Sequence, residues 1–98
     1  MLPVTEGDKA FFEYMKRHHS GREKAIISKE IFGWGTKREL RLTTHRLRVA
    51  CYPLCFSNKG LFVAATINEV RSTYRRVDSY IKSLTEVKEG LHVAYLEF

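Results

Sequence analysis

Between Thr36 and Arg76 the chain carries nine basic residues, Lys37, Arg38, Arg41, Arg46, Arg48, Lys59, Arg71, Arg75 and Arg76, opposed only by Glu39 and Glu69. That local excess of +7 is larger than the +6 of the whole 98-residue chain, so the remainder is close to neutral. Lysine offers a point charge, and arginine a planar fork that holds two oxygen acceptors at once. A surface built only for solubility interleaves its signs. An excess confined to one stretch is the electrostatic footprint of a polyanion-binding face.

Other chemistries lack their parts. His18, His19, His45 and His92 do not fall at metal-ligand spacing on one face. Cys51 and Cys55 form a C-x3-C pair with no second pair, which makes neither a zinc site nor a disulfide framework. Read within a strand they point the same way, as two reduced thiols packed as small hydrophobes. There is no Gly-rich phosphate loop, paired-carboxylate motif or H-E-x-x-H run, and no nucleophile with an oriented base. The sequence therefore predicts a non-enzymatic protein with no cofactor and no metal. No apolar run approaches the roughly 18 residues of a membrane span, and the N-terminus lacks a signal-peptide layout. A cytoplasmic location is the expectation, and no membrane partner.

The elements that must position the basic residues are announced by three capping boxes. Thr5 with Asp8, Thr36 with Glu39 and Thr66 with Glu69 each place a hydroxyl and an acid three apart ahead of a helical pattern. The first helix is expected over residues 6–18, with Phe11, Met15 and His18 on one side and Ser20-Gly21 closing it. Residues 25–27 read as a short strand or extended entry. Ser28 then caps a very short helix over 29–32, followed by a tight turn at Gly33-Trp34-Gly35, with Trp34 plugging the core. The longer basic helix runs from Thr36 to about Val49, with Leu40, Thr44 and Leu47 inward and Arg38, Arg41 and His45 outward.

Pro53 rules out continued helix. Residues 51–56 and 61–65 read as two strands around a four-residue loop, Ser57-Asn58-Lys59-Gly60. A last helix follows Thr66, where Val70, Tyr74, Val77, Ile81 and Leu84 repeat at four, three, four and three over two heptads, short for a coiled coil. Its expected span is 67–84, with a break at Lys88-Glu89-Gly90. Leu91 to Phe98 then reads as either a short final helix or a strand-like tail.

This order is that of an α+β, mainly helical winged helix-turn-helix: a single domain over 1–98, with a two-stranded hairpin wing at about 51–65 and a C-terminal helix. The stretch RELRLTTHRLRVACYPLCFSNKGLFVA at 38–64 resembles the winged-helix proteins of replication and regulatory regions in tailed bacteriophages. The likeness lies in Arg38-Glu39-Leu40-Arg41, Leu47-Arg48, Tyr52-Pro53-Leu54, the Ser57–Gly60 turn, Leu61-Phe62, and Thr66 to Glu69. It covers about a third of the chain. A more distant similarity is to the N-terminal domain of the biotin repressor family. Two positions depart from the family pattern: Cys51 stands where glycine is usual, and Thr44 where a larger aliphatic is usual.

The resemblance implies double-stranded DNA binding in a phage setting, in transcription regulation or as a replication accessory, within the host cytoplasm. Carried over by position, Lys37, Arg38, Arg41 and His45 meet the major groove, with Arg48 on the same helix. Arg41 is the leading candidate for a base contact. Ser57, Asn58 and Lys59 contact backbone from the wing, and Arg71, Arg75 and Arg76 either extend the phosphate footprint or face solvent. The competing reading is a protein-binding adaptor, or an inhibitor of a host nucleic-acid enzyme, that uses the same basic face on a host protein. A homodimer through the C-terminal helix is a further expectation.

Overall fold

The structure is a computed structural model and describes residues 3–27, 30–31 and 36–98. The elements are α1 (Glu6–His18), a single 3₁₀ turn (Arg22–Lys24), α2 (Lys37–Val49), β1 (Leu54–Ser57), β2 (Gly60–Val63) and α3 (Ile67–Glu97). Of the short helix expected over 29–32 only Glu30 and Ile31 are described, and the Gly33-Trp34-Gly35 turn lies outside the described residues. Among the described residues the architecture is α+β and mostly helical, with one antiparallel hairpin and a C-terminal helix. Among the described residues no helix is long and apolar enough to cross a membrane.

All three capping boxes form. In each, the threonine Oγ accepts the N3 amide and the acid accepts the threonine amide, at Thr5/Asp8, Thr36/Glu39 and Thr66/Glu69. The core gathers one face from each neighbouring element: Phe11, Phe12 and Met15 from α1, Leu40 and Leu47 from α2, and Leu54 and Val63 from the hairpin. Tyr52 meets Phe12 edge-on at 4.8 Å between ring centres, a favoured aromatic geometry. Thr44 is buried as expected of its stripe, and its hydroxyl is satisfied by donating to the Arg41 carbonyl at 2.9 Å.

Residues 19–26 run beside the hairpin and pair with β2. The Gly21 amide donates to Val63 O and the Val63 amide to His19 O, both at 2.8 Å, while Ile26 and Leu61 exchange bonds of 2.9 and 2.8 Å. The extended entry read at 25–27 is thus a bridge at Ile26. Pairing on this edge covers what would otherwise be open strand.

The hairpin is tighter than the sequence reading. Ser57 pairs with Gly60, so the loop is only Asn58-Lys59, and the strands cover 54–57 and 60–63 rather than 51–56 and 61–65. Gly60 sits at φ +121°, and a Cβ there would collide with the Ile26 carbonyl. Only glycine permits that approach. Before the hairpin, Cys51 adopts φ +73°. Its amide donates to Arg48 O and the Tyr52 amide to Leu47 O, each at 3.0 Å, so α2 ends in a Schellman motif with cysteine at the usual glycine position. Cys51 is accordingly exposed in a turn and Cys55 buried in β1, so the two thiols do not share a face. Burial pushes the Cys55 thiol up.

The largest departure is α3. It continues without interruption through Lys88, Glu89 and Gly90 to Glu97. A glycine inside a helix costs only about 1 kcal/mol relative to alanine, and helix formers flank this one. Leu91 to Glu97 are therefore part of the same helix, with Phe98 as its C-cap, and not a separate tail.

Candidate nucleic-acid interface

α2 carries its outward basic side chains on one arc. Lys37, Arg38, Arg41 and His45 are all exposed, and at 100° per residue they span roughly 100° of the helix circumference. The buried Leu40–Thr44–Leu47 stripe adjoins the Lys37 edge of that arc. A helix presenting such an arc matches the major groove of duplex DNA, which is about 12 Å wide.

The wing stands beside that arc. Lys37, Arg41 and Thr44 of α2 and Phe56, Ser57 and Asn58 of the wing line one groove of about 510 Å³, with Leu40 and Leu61 also in its lining. Lys59 is exposed at the wing tip, and its amide donates to Ser57 Oγ at 3.1 Å, which stiffens the two-residue loop. Five of the expected contact residues, Lys37, Arg41, Arg48, Ser57 and Asn58, thus line one concave surface, while Arg38, His45 and Lys59 are exposed outside its lining.

Three arginines behave differently from one another, and sequence pattern does not separate them. Arg46 is turned to α1, where its Nε and Nη2 hold the two Asp8 carboxylate oxygens at 2.7 and 2.8 Å. The Arg46 fork beside Asp8 holds that buried carboxyl well below the usual carboxylate range. Arg48, expected at the interface, lines the same groove and is also a strut. Its Nε donates to Leu54 O at 2.8 Å, its guanidinium lies 4.9 Å from the Phe56 ring centre, and Nη2 is buried with no protein partner. Burial lowers its pKa. It joins the end of α2 to the start of β1 and lines the groove between them. Arg41, about two helical turns earlier, stays in solvent.

On α3, Arg71 and Arg75 are exposed one turn apart and line neither groove that flanks the wing; Arg71 donates to Asn68 Oδ1 at 3.3 Å. Arg76 lines a second groove on the other side of the wing, with Arg22, Phe56, Ser57 and Glu69. Arg22 is the residue that sequence reasoning missed. Its Nη2 donates to Asn58 Oδ1 at 3.2 Å across 36 positions, and its amide donates to Glu69 Oε2 at 2.6 Å. Glu69 also accepts the Ala65 amide at 2.7 Å and the Thr66 amide at 3.2 Å. These backbone donors, Arg22 first and then Ala65, hold the Glu69 carboxyl below its ordinary value. No sequence signal marks Arg22, because the strand-edge pairing of residues 19–26 brings it to the wing.

Comparisons with protein-family models, with curated proteins and with solved structures found no match to this chain.

Proposed function

We propose that this chain binds double-stranded DNA, with α2 in the major groove and the β1–β2 hairpin reaching along the backbone as a wing. The observation that carries the reading is the shared groove: cations of α2, Lys37 and Arg41, and polar wing residues, Ser57 and Asn58, line one surface. Arg41 is assigned the base contact, since a guanidinium fork suits the two acceptors of a guanine edge. Arg38 and His45 flank it, and Lys37 and Lys59 neutralise phosphates on either side. Arg48 holds the angle between helix and wing. Such a module serves transcription regulation or a replication accessory role. The local excess of +7 over 36–76 supplies the attraction that precedes base recognition.

Fluorescence anisotropy with labelled duplexes, repeated across a series of salt concentrations, tests this. Affinity falls steeply with salt, as each neutralised phosphate contributes about 0.9 to the log–log slope. Lys59→Ala weakens all duplexes alike and reduces the slope by about 1, whereas Arg41→Ala costs about 1–3 kcal/mol on preferred sequences and relaxes base preference. Absence of duplex binding at low salt refutes the reading.

A further inference from the structure

Continuity of α3 changes what its apolar stripe means. A stripe ending at Leu84 is two heptads, but the unbroken helix extends the same four–three spacing from Ile67 to Phe98. One set of seam positions holds Ile67, Tyr74, Ile81, Lys88 and Tyr95. The alternating set holds Val70, Val77, Leu84, Leu91 and Phe98. Nine of the ten are apolar, and sustained heptads of this length specify a helix-to-helix seam.

The body of the protein does not cover this seam. It holds α3 on a different side, through Thr73 Oγ1 donating to Phe56 O at 3.4 Å and Tyr80 stacked on Phe56 at 6.2 Å. Beyond Tyr80 every residue of the helix is exposed, including Ile81 at 56 %, Leu84 at 68 % and Leu91 at 65 %. A helical arm that packs on nothing lacks the tertiary contacts from which most helical stability in proteins comes. A strip the length of α3, about 46 Å, and one helix wide has an area on the order of 500 Å². Two such strips together reach the roughly 1,000 Å² of a specific interface.

We infer that the α3 seam is covered by α3 of a second copy of this chain, running antiparallel. Charge decides the direction. In a parallel, in-register pair Lys88, the lone charge in the seam, faces its own copy and has no acid across from it. In a fully overlapped antiparallel pair Ile67 lies opposite the partner's Phe98 and Ile81 opposite the partner's Leu84. Lys88 then lies opposite the partner's Val77 and beside the partner's Asp78, so each dimer gains two opposite-charge pairs across the seam. A polar seam residue of this kind selects register and orientation at some cost in stability. The arrangement is isologous and closed, and places one basic α2-wing body at each end of the rod. It stands independently of the DNA-binding proposal.

Sedimentation equilibrium of the full chain at micromolar concentrations is the test. The expected mass is twice the 11.4 kDa of one chain. Ile81→Asp with Leu84→Asp yields monomer, and since both side chains are solvent-exposed in the single chain, the body keeps its fold. Lys88→Asp sets carboxylate against carboxylate and weakens the dimer by roughly tenfold, and Asp78→Lys added to it restores the affinity. A monomeric wild-type chain overturns the inference, as does a dimer indifferent to the Ile81/Leu84 pair. A charge swap that Asp78→Lys fails to rescue overturns it as well, because a parallel seam never brings residues 78 and 88 together.

Discussion

Replacing Cys51 by glycine is expected to stabilise the protein. Cys51 occupies the left-handed region at φ +73°, at the position after the α2 C-cap where a Schellman motif normally has glycine. A residue with a Cβ loses about 1–2 kcal/mol in that conformation. Glycine removes this strain but returns about 0.5–1 kcal/mol through the greater freedom of its unfolded chain. The side chain is exposed, so no packing is lost, and its Sγ contact with Val49 O at 4.0 Å is too long to count. The net gain is about 0.5–1 kcal/mol, which for a domain of this size raises Tm by roughly 2–8 °C. Thermal and urea unfolding followed by far-ultraviolet circular dichroism measure it, at one fixed protein concentration because association shifts Tm. Cys51→Ala is the control: it keeps the Cβ and leaves Tm almost unchanged. A lower midpoint for Cys51→Gly, or an equal rise for Cys51→Ala, refutes left-handed strain at this position.

Gly60→Ala acts in the opposite direction, since φ +121° and the Ile26 carbonyl both oppose a Cβ; a loss of more than about 1 kcal/mol is expected in urea unfolding. An unchanged midpoint would show that β2 can move away from residue 26. Asp8 and Glu69 both have folded pKa values below their ordinary ones. Their contribution is therefore full above the unfolded carboxylate range near pH 4 and is lost as pH falls through the folded values. Stability should decline from about pH 5 downward, and Asp8→Asn should lower the neutral-pH midpoint while flattening that decline. A variant that keeps the wild-type acid slope would remove the Asp8–Arg46 clamp from the explanation.

The helices and their starts were legible because they depend on neighbours in sequence. Thr5, Thr36 and Thr66 each find their acid three residues away, and the Leu40–Thr44–Leu47 stripe needs only helical geometry to face inward. The hairpin was legible as an element but not in register, since the sequence shows turn residues and not which pair closes the ladder. The end of α3 was misjudged because Lys88-Glu89-Gly90 resembles a stop, yet one glycine is too weak a perturbation to end a 31-residue helix.

Within the site, the charge excess and its location between 36 and 76 follow from the amino-acid order alone. What each arginine does with its charge was decided only in three dimensions. Arg41 remains in solvent, Arg46 closes on Asp8 across 38 positions, Arg48 turns under to Leu54, and Arg22 arrives at the wing from outside the basic stretch. All four read alike as cations. Local sequence sets which face of a helix a guanidinium occupies, but the acceptor it meets comes from another element, and only the packing of those elements brings the two within hydrogen-bond reach.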